Sequence, residues 1–376
     1  LAEKKFYEMD RQERLGYLEA RSGLRDVESM LQPLRFEEAD RMVENAIGSM
    51  SIPMGIATNF VVNGKEVLVP MAIEEPSVIA AASKAAKIAK IMGGFSARAD
   101  DSLMVGQVQV VNIANTKAAA QKLKRSRRKI LEAANATSRS VLARELQVRI
   151  IRDSSANKMG RMLLAELVVD TKDAMGANAI NTMCEAIAPL VSDLTGGEVV
   201  LKILSNYATR RMVRCKAVFS KDEIGGAKVV RRILYAYALA HSDVYRAVTH
   251  NKGVMNGVDA VAIAAGQDFR AIEAGAHAYA SRDGNYRSLT KWKVTRQGDL
   301  EGEIELPLAV GTVGGITAAH PAVRFALKIM GVTGAKDLAM VMAAAGLAQN
   351  FAAIRALADE GIQQGHMKLH ARKFAG

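Results

Sequence analysis

"AVTHNKGVMNGVDAVAIAAGQD" (residues 247–268) sets one lysine, Lys252, among small and apolar residues. The next acidic residues are Asp259 and, beyond the run "AVAIAA", Asp268. An ammonium in an apolar setting needs a partner, because burying it unpaired costs several kcal/mol or strips its proton. Read locally, the stretch is a surface loop followed by a core strand. A lysine held for chemistry is the competing reading, and it demands an acidic neighbour.

Working outward, 376 residues suit two domains. Aromatic residues are scarce at 5%, so cores must be packed from aliphatic residues and 18 methionines. Residues 1–50 read as helical and break near "ENAIGSMSIPMG". "ATNFVVNGKEVLVPMA" is a hairpin around Asn63-Gly64. "EEPSVIAAASKAAKIAKIMGG" starts a helix with Pro76 near its first turn and stops it at Gly93 and Gly94. "LMVGQVQVVNI" opens a different texture: strand, a long basic helix, "ELQVRIIRD", then "MLLAELVVDTKDAMGANAINTMCEAIAPLVSDL" and the strand-like "GEVVLKILSNYA". This predicts an α/β domain inserted over 102–205, within a helix-rich large domain made of 1–101 plus 206–376. No G-x-G-x-x-G occurs, so the inserted domain is not of the Rossmann type.

Cys184 and Cys215 have no paired spacing, which points to a reduced, cytoplasmic setting. No apolar leader precedes the charged N-terminus. "LAMVMAAAGLAQNFAAIRALA" (338–358) is interrupted by Gln349, Asn350 and Arg355, so a soluble protein with no membrane partner is expected. The net charge of +12 asks for an anionic partner. Its densest run is "QKLKRSRRKILEAANATSRSVLARE" (121–145). A solvated helix face, nucleic acid and a phosphate-bearing small molecule compete there. No stacking aromatics accompany these cations, which argues against nucleic acid.

Four stretches carry chemistry-bearing residues. "EEPS" puts Glu75 and Ser77 at a helix start. "DAMGANAINT" sets Asp173 before small residues and Gly176, leaving room for a flat ligand against the backbone. "HNKG…GQD" gives Lys252, Asn256 and Asp268, and "GHMKLHARKF" gives His366 and His370 four apart. The histidine pair lacks the glutamate of H-E-x-x-H and a third ligand, so no metal is expected. Singly, Glu75 reads as a carboxylate favoured by the helix dipole and Asp268 as a helix cap.

Together the set resembles the soluble, bacterial and archaeal (class II) 3-hydroxy-3-methylglutaryl-CoA reductases. The resemblance runs through "ENAIGSMSIPMGIATNFVVNG", "VPMAIEEPSVIAAAS", "DAMGANAINTMCEAIAPL", "LKILSN", "YRAVTHNKGVMNGVDAVAIAAGQDFRAIEAGAHAYA", "VGTVGG", "GLAQN" and "GHMKLHAR". It implies a mixed α/β fold whose large domain binds substrate and CoA and dimerises. It also implies an inserted, ferredoxin-like domain that holds the nicotinamide cofactor. The reaction implied reduces hydroxymethylglutaryl-CoA to mevalonate by two hydride transfers and frees CoA.

By position in the motifs, Glu75, Lys252, Asp268 and His366 resemble the catalytic residues. A fixed cation at Lys252, with Asn256 as a second donor, suits the oxyanion that hydride addition creates. Asp268 would orient Lys252. Crowded carboxylates keep one of their number protonated, so Glu75 could give a proton to the aldehyde oxygen. His366 suits protonation of the departing thiolate. Ser77 and Arg246 resemble the groups that hold the substrate carboxylate. Asp173, Ala174, Met175, Gly176, Asn178 and Asn206 match cofactor-binding positions.

Where NADH-preferring members carry an acidic residue after the "E-x-A-N" segment, this chain reads "EAANATSRS", with Ser138 and Arg139. A hydroxyl and a guanidinium accept a 2′-phosphate, so NADPH is expected over NADH. The resemblance further implies a homodimer with active sites at its interface, assembled as a trimer of dimers. It also implies a helical lid after "HMKLHAR", which the residues beyond about 365 largely lack. A phosphate-ligand or RNA-binding protein on the same scaffold, and a reductase of another carboxylate-ended acyl-CoA, are the alternatives.

Overall fold

The structure, a computed structural model, describes residues 4–359. His366, His370 and the expected lid lie outside them. The chain begins with α1 (Arg11–Ser22), α2 (Val27–Met30) and α3 (Phe36–Met42). Asp10 caps α1 by accepting from the Glu13 N–H, while the Glu13 carboxylate accepts from the Asp10 N–H. The hairpin of β1 (Met54–Val62) and β2 (Lys65–Ala72) turns on Asn63-Gly64, both at positive φ, as that dipeptide predicts. Next come α4 (Val78–Ile91) and β3 (Phe95–Ala99).

A second unit of secondary structure then intervenes. It comprises β4 (Leu103–Val111), α5 (Thr116–Arg125), α6 (Arg127–Asn135), β5 (Leu142–Arg152), β6 (Arg161–Asp170), α7 (Ala177–Thr195) and β7 (Glu198–Ser205). Its antiparallel sheet runs β5-β6-β4-β7, the ferredoxin-like order. One side of that sheet buries Met104, Val108, Leu163, Leu167 and Val169 with Leu123, Ile130 and Ile187 of the helices. The expected single basic helix is instead two, broken at Ser126, and it ends at Asn135.

The first sheet resumes with β8 (Met212–Phe219). After α8 (Lys221–Ile224), α9 (Ala227–Ser242), α10 (Val244–Ala264) and α11 (Phe269–Ala280) it gains β9 (Thr290–Val294) and β10 (Leu300–Pro307). The finished order is β2-β1-β3-β8-β10-β9. The described chain closes with α12 (Ile316–Ala319), α13 (Pro321–Met330) and α14 (Ala335–Ala358).

The loop-plus-strand reading of 247–268 is overturned: α10 carries nearly all of it as one helix. "AVAIAA" shows no helical period because α10 is enclosed on most sides; Ala260, Val261, Ala262 and Ala264 are all buried. Gly257 does not break the helix but lets α14 approach. A Cβ there would stand 2.5 Å from the Ala345 carbonyl oxygen. The 24-residue α14 is long and apolar enough to cross a membrane, yet 78% of its apolar window is buried in this core. Phe351 of α14 stacks on Phe219 of β8 with ring centroids 3.7 Å apart.

Candidate active site

Between α4, α10 and α14 lies a cavity of about 470 Å3. At its mouth the Lys252 Nζ donates to Glu75 Oε2 at 2.7 Å. Asn256, one helical turn on, donates its Nδ2 to the same oxygen at 3.3 Å. The spacing of four on α10 aims both donors at one point, and the β2–α4 turn presents Glu75 to them. Lys252 is 59% and Glu75 35% exposed, so the pair adds about 0–1 kcal/mol to stability. Its worth lies in position.

Ser77 and Arg246 line the same cavity. Ser77 occupies the N-cap position of α4 at φ 77°, a conformation that a non-glycine residue adopts at a cost of about 1–3 kcal/mol. Its Oγ is buried without a partner among the described residues. Partial burial lowers the Arg246 pKa from its ordinary value.

The sequence reading missed what lies beneath. His250, 2% exposed, lines the cavity floor and meets Thr290 Oγ1 through Nε2 at 2.7 Å. Thr290 Oγ1 donates to Asn350 Oδ1 at 2.9 Å, and Trp292 Nε1 donates to both oxygens at 3.1 Å. Burial first, and then the Arg246 charge, push His250 down to about 3, so it stays neutral. Asn251 donates to the Arg287 carbonyl and accepts from the Leu289 N–H. These bonds anchor the Lys252 turn of α10 to β9 and the loop before it. The signal lay in "THN" and "GLAQN", polar residues inside apolar helices.

The remaining expected residues gather elsewhere. Asp173 accepts from the Ala335 N–H at the start of α14, at 2.9 Å. The Asp173 and Ala174 carbonyls accept from Thr312 N–H and the buried Arg211 guanidinium, and Met175 N packs against Gly311. Gly176, at φ 94°, opens α7; a Cβ there would lie 2.3 Å from Thr171 Cγ2. Asn178 sits in the first turn of α7, and the Asn206 carbonyl packs on Gly275 of α11.

Asp268 caps α11 by accepting from the Ala271 N–H, and it pairs with Arg270. The cap reading of Asp268 therefore holds. Gln267 grips both the N–H and the carbonyl of Gly311, which ties this corner to the 173–176 turn. Asp268 does not touch Lys252 of its own chain. Twelve residues of α10 separate Lys252 from the helix end, about 18 Å at 1.5 Å per residue.

Ser138 and Arg139 lie in the turn between α6 and β5, where the Ser138 Oγ accepts from the Ser140 and Val141 N–H groups. A polar cavity of about 510 Å3 beside Asp173 is lined by Arg144, Asp170, Lys172 and Lys336, among others. Burial opposes ionisation of Asp170, but hydrogen bonds from Lys172 and Arg144 outweigh it and hold the carboxyl at about 2. Among the described residues no three His, Cys, Asp or Glu side chains group as metal ligands.

The family model described as hydroxymethylglutaryl-coenzyme A reductase matches residues 10–371. An Archaeoglobus fulgidus 3-hydroxy-3-methylglutaryl-coenzyme A reductase is 51% identical, over 98% of this chain and 86% of its own. A Borreliella burgdorferi protein described as a probable 3-hydroxy-3-methylglutaryl-coenzyme A reductase is 36% identical, over 89% and 77%. Among solved structures, a Streptococcus pneumoniae reductase of this name superposes with a TM-score of 0.90 at 40% identity, over 98% of this chain and 90% of that one. The class II reductase of the same organism, bound to NADPH in open conformations, gives 0.89 at 40% identity, over 94% and 98%. The fold and these likenesses define an oxidoreductase of mixed α/β architecture. The chain belongs to the hydroxymethylglutaryl-coenzyme A reductase family, of the class II type that its sequence resembles. Its reaction is reduction of the hydroxymethylglutaryl-CoA thioester.

Proposed function

We propose that Glu75, Lys252, Asn256, Asp268 and His366 carry this reduction to mevalonate and CoA, and that NADPH is the reductant. The observation that supports the reading is one carboxylate oxygen held by two donors, Lys252 and Asn256, at a cavity mouth. When bound, the nicotinamide supplies two hydrides in turn, first to the thioester carbon and then to the aldehyde carbon. Each addition puts negative charge on the substrate oxygen. Lys252 and Asn256 are fixed before the charge appears, so they stabilise the transition state without reorganising. Glu75, hydrogen-bonded to Lys252, passes a proton to the aldehyde oxygen. Collapse of the hemithioacetal breaks the C–S bond, and His366 protonates the CoA thiolate. Arg246 and Ser77 bind the carboxylate at the far end of the acyl group; the unpartnered Ser77 Oγ suits that task.

Segment 102–205 is the cofactor domain in this reading. The residues present fit such a group: α7 begins at Gly176 with no side-chain cap, which leaves its first N–H groups for a phosphate. Arg139 and Ser138 face no carboxylate in their turn among the described residues, and they favour a 2′-phosphate. An NADPH specificity constant above that for NADH supports this; the reverse order overturns it.

The 18 Å between Lys252 and the Asp268 corner is too long for one chain to bring both to one carbon. A second copy supplies the missing half, so the active unit is a homodimer or a multiple of it. Exposed apolar side chains beside Arg246, namely Val244, Tyr245 (84% exposed) and Val248, suit such a contact. The decisive assay mixes the protein with hydroxymethylglutaryl-CoA and NADPH and counts cofactor oxidised per CoA freed. A ratio of about two supports the four-electron reaction. No oxidation overturns it.

A further inference from the structure

Midway along α10, between the two half-sites, stands an acidic residue that the mechanism does not use. Asp259 lies three residues past Asn256 and seven past Lys252, on the same helical face. Its half-buried carboxyl meets that of Glu273 on α11 at hydrogen-bonding range. Glu273 Oε2 also lies 2.6 Å from His277 Nε2, and His277 Nδ1 is 2.7 Å from the Tyr286 hydroxyl. Asp259 Oδ1 is buried and finds no donor among the described residues.

Two carboxyls in such contact share a proton, because both cannot ionise there. His277 bonds to Glu273 and so draws the negative charge onto it. The proton therefore resides on Asp259, whose O–H donates to Glu273. Burial first, and then Glu273, push Asp259 up to about 9. Glu273 is drawn down by its bond from His277, against burial. The other elements packed on α10, namely α4, α9, α13, α14 and β2, bring no charged group to Asp259 among the described residues.

We propose that Asp259 is a positioning residue: its shared proton fastens α11 to α10 and thereby fixes Asp268, the cap of α11, relative to the face that carries Lys252 and Asn256. This rests on the reading that Asp268 and Lys252 serve one reaction. The turn of Gly266, Gln267 and Asp268 is the short link between the two helices. Glu273 lies five residues past Asp268, about 7.5 Å along α11. With the proton lost, two carboxylates repel across the helix pair at the point nearest that cap.

The test measures kcat and KM with hydroxymethylglutaryl-CoA and NADPH from pH 6 to 10, for the natural protein and two variants. The natural protein should lose kcat above about pH 9, about tenfold per unit, with KM little changed. Asp259→Asn retains a donor to Glu273; it should turn over within about two-fold of the natural rate at pH 7 and lack the alkaline break. Asp259→Ala has no donor and should lose about tenfold in kcat at pH 7 with KM preserved. An alkaline break that persists in Asp259→Asn overturns the proposal, as does an Asp259→Ala enzyme with unchanged kcat.

Melting temperature against pH reads the shared proton without turnover. A raised folded-state pKa gives stability that is full below about pH 4 and is lost as pH rises through about 9. The natural protein should therefore lose more melting temperature than Asp259→Asn between pH 5 and 9. Equal losses overturn the shared proton. A natural protein that oxidises no NADPH overturns the positioning role together with the assigned reaction, and the melting series then judges the bridge alone.

Discussion

The two ends of α10 are built on opposite principles. At the Lys252 end, side chains face a cavity: Lys252 is more than half exposed, Ser77 Oγ has no partner, and Ser77 is held at a positive φ. At the Asp268 end nearly every polar atom is spent inside the chain, on the α11 cap, on Gly311 and on the start of α14. A group whose bonds are unfilled in the folded chain is available to a substrate. A group whose bonds are filled holds a backbone in place for something else to bind. The contrast teaches that one chain carries an acyl half-site and a cofactor half-site back to back, not one site.

The largest effect that sharpens this contrast is Lys252→Ala. Removing the donor at the nascent oxyanion should lower kcat by about 100- to 1,000-fold or more. CoA affinity by calorimetry should stay within about two-fold, since CoA binds elsewhere in the cavity. Comparable loss of CoA binding would make Lys252 a ligand for CoA.

Complementation tests the back-to-back arrangement directly. Lys252→Ala and Asp268→Asn should each be nearly inactive alone. Subunits mixed in equal amounts should recover about one quarter of natural activity, because half of the dimers are mixed and each has one intact site. No recovery means that both residues serve within one chain, and the comparison breaks.

Below the acyl half-site, Thr290→Val should cost about 2–3 kcal/mol in denaturant titration, because His250, Trp292 and Asn350 all lose a buried partner. Loss below about 0.5 kcal/mol would mean that the floor of the cavity is not rigid. The smallest effect is expected at Ser77→Gly. Relief of the positive φ should add about 1 kcal/mol of stability, while loss of the hydroxyl raises KM severalfold. A variant that gains stability with unchanged KM would remove Ser77 from the substrate.

Much of this was legible without coordinates, and what was legible was local. Asn63-Gly64 names its own turn because two consecutive positive φ angles suit few other dipeptides. The strand and helix succession of 103–205 showed in its alternation, since one face of that sheet is buried and the other is not. The stretch 247–268 failed for the converse reason. A helix wrapped by α4, α9, α13, α14 and β2 has no polar face to give it a period. His250 went unnoticed because a neutral, buried histidine is a product of its surroundings, not of its neighbours in sequence.

By itself the sequence determined the chemical inventory: a lysine and an asparagine four apart, an acid before a helix, a glycine-bearing turn, and the family to which these belong. Such features depend on residue type and short spacing, which no packing can alter. Only the tertiary structure decided that Glu75 meets Lys252, that Asp268 does not, and that Asp259 is left to share a proton with Glu273. Those outcomes follow from how a rigid helix is crossed by its neighbours, and contacts between residues far apart in the chain are written in no single stretch of it.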